Sequence, residues 1–132
     1  MSRLMSVAFT EQAVLARVKT VTRRKGWWED KTGRRLLSEG DRLTLCRKVM
    51  GRKPGEPLVR IAEVEVYDVR REPLSDLLHG STDYGPREMA AEGFPGLDPA
   101  EFIRRYFTRA QGMFPDDLVT RIEWRYIDEA AR

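Results

Sequence analysis

A chain of 132 residues, 41% of them hydrophobic, is bounded to one domain with a single modest core. Its 24 Lys and Arg against 21 Asp and Glu leave a net charge of +3, too mild to require a polyanionic partner by itself. One cysteine excludes an intramolecular disulfide and any multi-thiolate site, and one histidine, His79, excludes a His-rich zinc centre and the His/Cys/Cys centre of nucleobase deaminases.

In chain order, Ser6 to Phe9 reads as a short extended apolar piece, and Thr10 as the N-cap of a helix over Glu11 to Val18 with Val14 and Val18 on one face. Lys19 to Arg24 alternates β-branched and long basic residues, which predicts a strand leaving that helix. Gly40-Asp41 is a turn before Arg42 to Arg47, whose leucines alternate with polar residues as in a half-buried strand. Leu58 to Val69 is a longer strand that changes phase: Val59 and Ile61 are odd, whereas Ala62, Val64 and Val66 are even, as a β-bulge or a barrel bend requires. Pro73 to Leu78 suggests a helical turn, and Pro86 to Glu92 a short helix stopped by Gly93. Asp98, Pro99 and Glu101 start another helix, with Phe102, Ile103, Tyr106 and Phe107 as its apolar stripe. Leu118, Thr120, Ile122, Trp124 and Tyr126 then alternate with Arg121, Glu123 and Arg125, which predicts a closing strand with one buried face. The order β-α-β-β-β-α-α-β describes an α+β protein, a small mixed barrel decorated by short helices.

Two basic segments are candidate binding surfaces. Lys25, Trp27, Trp28, Lys31, Arg34 and Arg35 interleave aromatic rings with cations, the combination that stacks bases and neutralises phosphates on single strands. Arg47, Lys48, Arg52 and Lys53 form the second. His79 lies in a Gly-, Ser- and Thr-rich stretch that reads as a surface loop, which disfavours it as a catalytic base. No run approaches the roughly 20 apolar residues that span a bilayer. The N-terminal ten residues lack the apolar core of a signal peptide, and the lone cysteine suits a reducing compartment, so a cytoplasmic protein with no membrane partner is expected. No glycine-rich phosphate loop or calcium-loop pattern occurs, and no cofactor or metal is expected. From the charge pattern alone, Lys19, Arg23 and Arg24 also fit a solvated strand edge, and Glu92 a plain surface position.

A strand and helix leading into Lys19-Thr20-Val21-Thr22-Arg23-Arg24, then Gly40-Asp41 before a strand, then Ala91-Glu92-Gly93-Phe94 ahead of a capped helix, together resemble the ASCH domain, a PUA-like barrel. The resemblance runs from about Val7 to Tyr126, which makes residues 1–132 a single such domain. It implies a role with RNA or a modified nucleoside in a cleft lined by the K-T-x-T element. One branch of the family is similar to a metal-free amidohydrolase that removes the acetyl group from N4-acetylcytidine, and its catalytic Lys, Thr and Glu match Lys19, Thr22 and Glu92. Arg23, Arg24, Lys25, Trp27, Trp28 and Lys53 are then the expected substrate- or nucleic-acid-binding residues. The alternatives are a non-catalytic RNA-binding module, or a ribonuclease recruiting Lys19, Arg24 and Tyr84 in the same basic cleft. The chain departs from the smallest amidohydrolases in its longer loops at 25–39, 47–57 and 79–86, and in Arg23, where an apolar residue is usual.

Overall fold

The computed structural model describes residues 2–127. Five strands, β1 (Arg3–Ser6), β2 (Val21–Arg24), β3 (Arg42–Cys46), β4 (Arg60–Pro73) and β5 (Leu118–Tyr126), form one curled sheet in the order β1-β3-β4-β5-β2. β1 runs parallel to β3 and the other neighbours are antiparallel, so the sheet is mixed and its edges are β1 and β2. Short helices α1 (Glu11–Leu15), α2 (Tyr84–Glu92), α3 (Pro99–Ile103) and α4 (Arg109–Gln111) surround it, with a π turn at Arg104–Thr108 joining the last two. The expected α+β class, a small mixed barrel decorated by short helices, is what the chain forms, its sheet curled into a half-barrel.

Two bulges in β4 explain its phase change. Leu45 pairs with Ala62 and Cys46 with Arg60, so Ile61 is the extra residue, and Ala62, Val64 and Val66 then face the core. A second shift skips Tyr67, after which Val69 takes the core side opposite Ile122 and Glu72 pairs with Val119 on the other face. A one-residue slip turns every later side chain over. The Tyr67 bulge is therefore what carries Glu72 towards α2.

Two cores result. Met5, Val7, Val14, Leu43, Leu45, Val64, Val66, Ile122 and Trp124 fill the concave side of the sheet, while Leu74, Leu77, Met89, Phe102, Phe107 and Val119 pack beneath α2 and α3. Because both faces of β5 are covered, the expectation of one buried face is corrected: Arg121 is buried and Leu118, at the strand's start, is half exposed. Other boundaries move for local reasons. β1 ends at Ser6 rather than running from Ser6 to Phe9, because the chain turns into a 3-10 helix at Ala8–Thr10. α1 stops at Leu15 because Arg17 adopts a positive φ of 60°, leaving Val18 exposed. β2 begins at Val21 because the backbone at Lys19 and Thr20 bonds to α1, α2 and β5. α2 begins at Tyr84, ahead of Pro86.

Candidate functional site

Lys19 enters the site through a tightly held backbone. Its N–H donates to Ala13 O at 3.2 Å, and its carbonyl accepts from Trp124 Nε1 at 3.1 Å and from the Tyr126 hydroxyl. Thr20 N–H donates to Ala91 O at 2.8 Å, which ties this segment to the end of α2. There Gly93, at φ 100°, stops the helix in a conformation that L side chains resist, and a Cβ on it would come within 3.0 Å of Ala13 Cβ. The turn packs directly on α1 and leaves Glu92 pointing into the protein.

Lys19 Nζ donates to the Glu92 carbonyl at 2.7 Å and to its Oε1 at 3.3 Å, and Glu92 Oε2 accepts from Arg23 Nη1 at 3.0 Å. Arg23 Nη2 reaches Glu72 Oε2 at 2.9 Å, the Tyr84 hydroxyl at 3.2 Å and Glu88. Glu88 also takes a two-pronged contact from Arg121, at 2.6 and 3.0 Å. Tyr84 donates to Glu72 Oε1 at 2.8 Å and accepts from Arg70 Nη2 at 2.7 Å. Three buried cations, Lys19, Arg23 and Arg121, thus face three buried carboxylates, Glu72, Glu88 and Glu92. Balanced pairing of this kind is what lets charge stay inside a protein.

The charge states follow from these contacts. Burial pushes the Lys19 amine below its ordinary value; the Glu92 carboxylate opposes that and the Arg24 and Arg23 charges add to it. Burial works against ionising Glu88, yet its bonds to Arg121 and the nearby Arg23 charge hold it down at about 2. Glu72 is likewise held below the usual carboxylate range by Arg23 despite its burial. The Tyr84 phenol is pushed up by burial and by its bond to Glu72.

A cleft of about 190 Å³ opens beside edge strand β2, lined by Ser6, Phe9, Lys19, Thr22, Arg23, Arg24, Glu92, Phe94 and Tyr106 among others. Thr22 and Arg24 lie on one face of β2, with Arg24 Nε 3.3 Å from Thr22 Oγ1 and its Nη2 anchored on Ser6 O at 2.7 Å. Arg23 points to the other face, where its charge is absorbed by α2 and β4, but its buried Nε has no hydrogen-bond partner among the described residues. Lys19, Thr22 and the sequence-distant Glu92 therefore share one cleft.

Lys25, Trp27, Trp28 and Lys53 are not part of that lining. Trp27 packs against the concave core, and Trp28 carries the Arg35 guanidinium 3.6 Å over its ring. Lys25 and Lys53 are exposed. His79 is exposed, 3.7 Å from Asp76 Oδ1, beside a separate open groove with Arg70 and Arg71. Sequence reasoning missed Phe9 as a cleft residue and Glu72, Glu88 and Arg121 as members of the charged network. Arg23, a cation in mid-strand, is the signal in the sequence that carboxylates lie nearby. Among the described residues no helix is long and apolar enough to cross a membrane, and no group of three potential metal ligands occurs.

No family model and no curated protein matches the sequence. Solved structures do resemble it in shape. An Enterococcus faecalis protein described under the family model DUF984 superposes with a TM-score of 0.61 at 14% identity, covering 96% of this chain and 80% of that one. An ASCH domain from Lactobacillus crispatus gives 0.57 at 14% identity, covering 94% and 79%. A Tyr-to-Phe variant of an ASCH protein from Zymomonas mobilis gives 0.53 at 13% identity, covering 92% and 67%.

Proposed function

Because the chain has the fold of the ASCH domain, we propose that its cleft binds a modified nucleoside or RNA base and hydrolyses an N-acyl group from it without a metal, N4-acetylcytidine being the representative substrate. The observation that carries this reading is the burial of Lys19 in the cleft that Thr22 also lines, since burial favours the neutral amine a general base must be. Hydroxyl and amine form a nucleophile and base pair.

In this reading Thr22 Oγ1 attacks the acetyl carbonyl and passes its proton to Lys19 Nζ. The tetrahedral adduct collapses, the bond from carbonyl carbon to the exocyclic nitrogen breaks, and Lys19 returns the proton to that nitrogen. Water then cleaves the acetyl ester on Thr22, with Lys19 as base again, and releases acetate. Arg24, within hydrogen-bond reach of Thr22 Oγ1, is placed to steady the negative charge of the adduct. Glu92 holds Lys19 and Arg23 in register.

The test is turnover of N4-acetylcytidine to cytidine by the purified protein without added metal, beside Lys19→Ala and Thr22→Ala. Turnover in the wild type, lost by at least about 10²-fold in both variants, is the expected result. No turnover, together with salt-sensitive RNA binding that weakens in Arg24→Ala, favours a binding module in the same cleft instead.

A further inference from the structure

The cleft has an aromatic side that the acyl chemistry does not use. Phe9 sits on the 3-10 turn at Ala8–Thr10 and lines the cleft, yet 82% of its surface is exposed. Its ring has one aromatic neighbour among the described residues. It rests against Tyr106 with centroids 5.8 Å apart and planes inclined by 54°, and Tyr106 in turn packs on Phe94 at 5.1 Å. The three rings line the same cleft as the polar groups of Lys19, Thr22 and Arg24.

Phe94 and Tyr106 also pack on Phe102 at the second core, whereas Phe9 is absent from both cores and turns most of its surface outward. An aromatic wall beside polar donors matches a flat heterocycle, whose face stacks while its edge makes hydrogen bonds. The cleft volume of about 190 Å³ lies below the span of roughly 300–1,000 Å³ found for drug-sized ligands, which suits a single ring. Phe114 and Tyr67 are also exposed aromatics, at 65% and 62%, but neither lines this cleft.

We infer that Phe9, backed by Tyr106 and Phe94, is the stacking platform that makes the cleft select a planar single-ring base over an acyclic amide. The identity of the reacting group rests on the function proposed above; the stacking does not. Phe9 is a specificity residue whose exposed face is covered by the ligand.

The experiment separates the two. Cytidine, which carries no acyl group, is titrated by calorimetry into the wild type, Phe9→Ala, Phe9→Trp and Phe114→Ala, with thermal melts confirming that each is folded. Wild type and Phe114→Ala should bind alike, Phe9→Ala about tenfold more weakly, and Phe9→Trp near the wild type. Where the wild type turns over N4-acetylcytidine, its preference for that substrate over N-ethylacetamide, as a ratio of kcat/KM, should shrink about tenfold in Phe9→Ala. Binding that depends on Phe9 in a protein that hydrolyses neither compound sustains the platform and removes the amidohydrolase reading. Equal cytidine affinity in the wild type and Phe9→Ala, or no cytidine binding by the wild type, overturns the inference.

Discussion

Lys19 carries the site's main tension. Its amine is buried, which favours the neutral form, while its contacts with the Glu92 carbonyl and carboxylate favour the charged one. Glu92→Gln separates these effects, because it keeps the shape and the backbone acceptor and removes only the negative charge. With that charge gone, the Lys19 pKa drops further, more of the amine is neutral at a given pH, and the acidic limb of the kcat profile moves to lower pH. A pH–rate series on the variant reads this directly, and an acidic limb that stays in place would detach Lys19 from the role of base. The residue scale is also where sequence is most and least informative. Lys19 and Thr22 are three apart and announce themselves as a pair, whereas the 3.3 Å contact between Lys19 and Glu92 spans 73 residues of chain and is created by the Gly93 turn packing on α1. Phe9 gives no sequence signal at all, since nothing in a lone phenylalanine distinguishes a core position from one at a cleft mouth.

At the scale of elements, β2 and β5 place Arg23 directly opposite Arg121, and like charges facing each other across a strand pair repel. Glu88 on α2 accepts from both, so α2 supplies the negative charge that the sheet lacks as well as apolar cover. Glu88→Gln should therefore cost about 3 kcal/mol, the low end for breaking a buried pair, because Glu72 and Glu92 still hold Arg23 and Glu123 still holds Arg121. The melting temperature should fall by roughly 10 °C or more. Replacing Arg121 by Met and Glu88 by Leu together should recover much of that loss, because paired removal leaves less buried charge uncompensated. A Glu88→Gln midpoint within about 1 kcal/mol of the wild type in denaturant melts would mean that the network contributes little. The strand alternation cannot show this arrangement. It assigns Arg121 to the polar face of β5, which is correct, but that face looks at α2 rather than at solvent.

The strands of the whole molecule are legible because their side chains keep period 2, and even the interruption at Ile61 is readable as a break in that period. The Tyr67 bulge is not, since Asp68 to Glu72 carries too many polar residues for a phase to show, and without it Glu72 could not be placed. Glu72, Glu88 and the arginines they hold join β2, β4, β5 and α2 into one charged layer, which ties acid stability to the sheet as a whole. Glu88 is held at about 2 in the folded protein against an ordinary 4.5. Its folded pKa is depressed, so the stabilisation it provides is complete above the ordinary value and is lost as pH falls towards the folded one. Between those limits the unfolded chain takes up the proton that the folded chain refuses. Glu72 adds a dependence of the same sign. Because the layer joins three of the five strands to α2, its failure should be global: far- and near-ultraviolet circular dichroism should decay together as pH is lowered from 4.5 to 2. In Glu88→Gln the same titration should be flatter, starting from a lower stability at neutral pH. A wild type whose denaturant midpoint stays constant through that window would show that protonating these carboxylates does not govern acid unfolding.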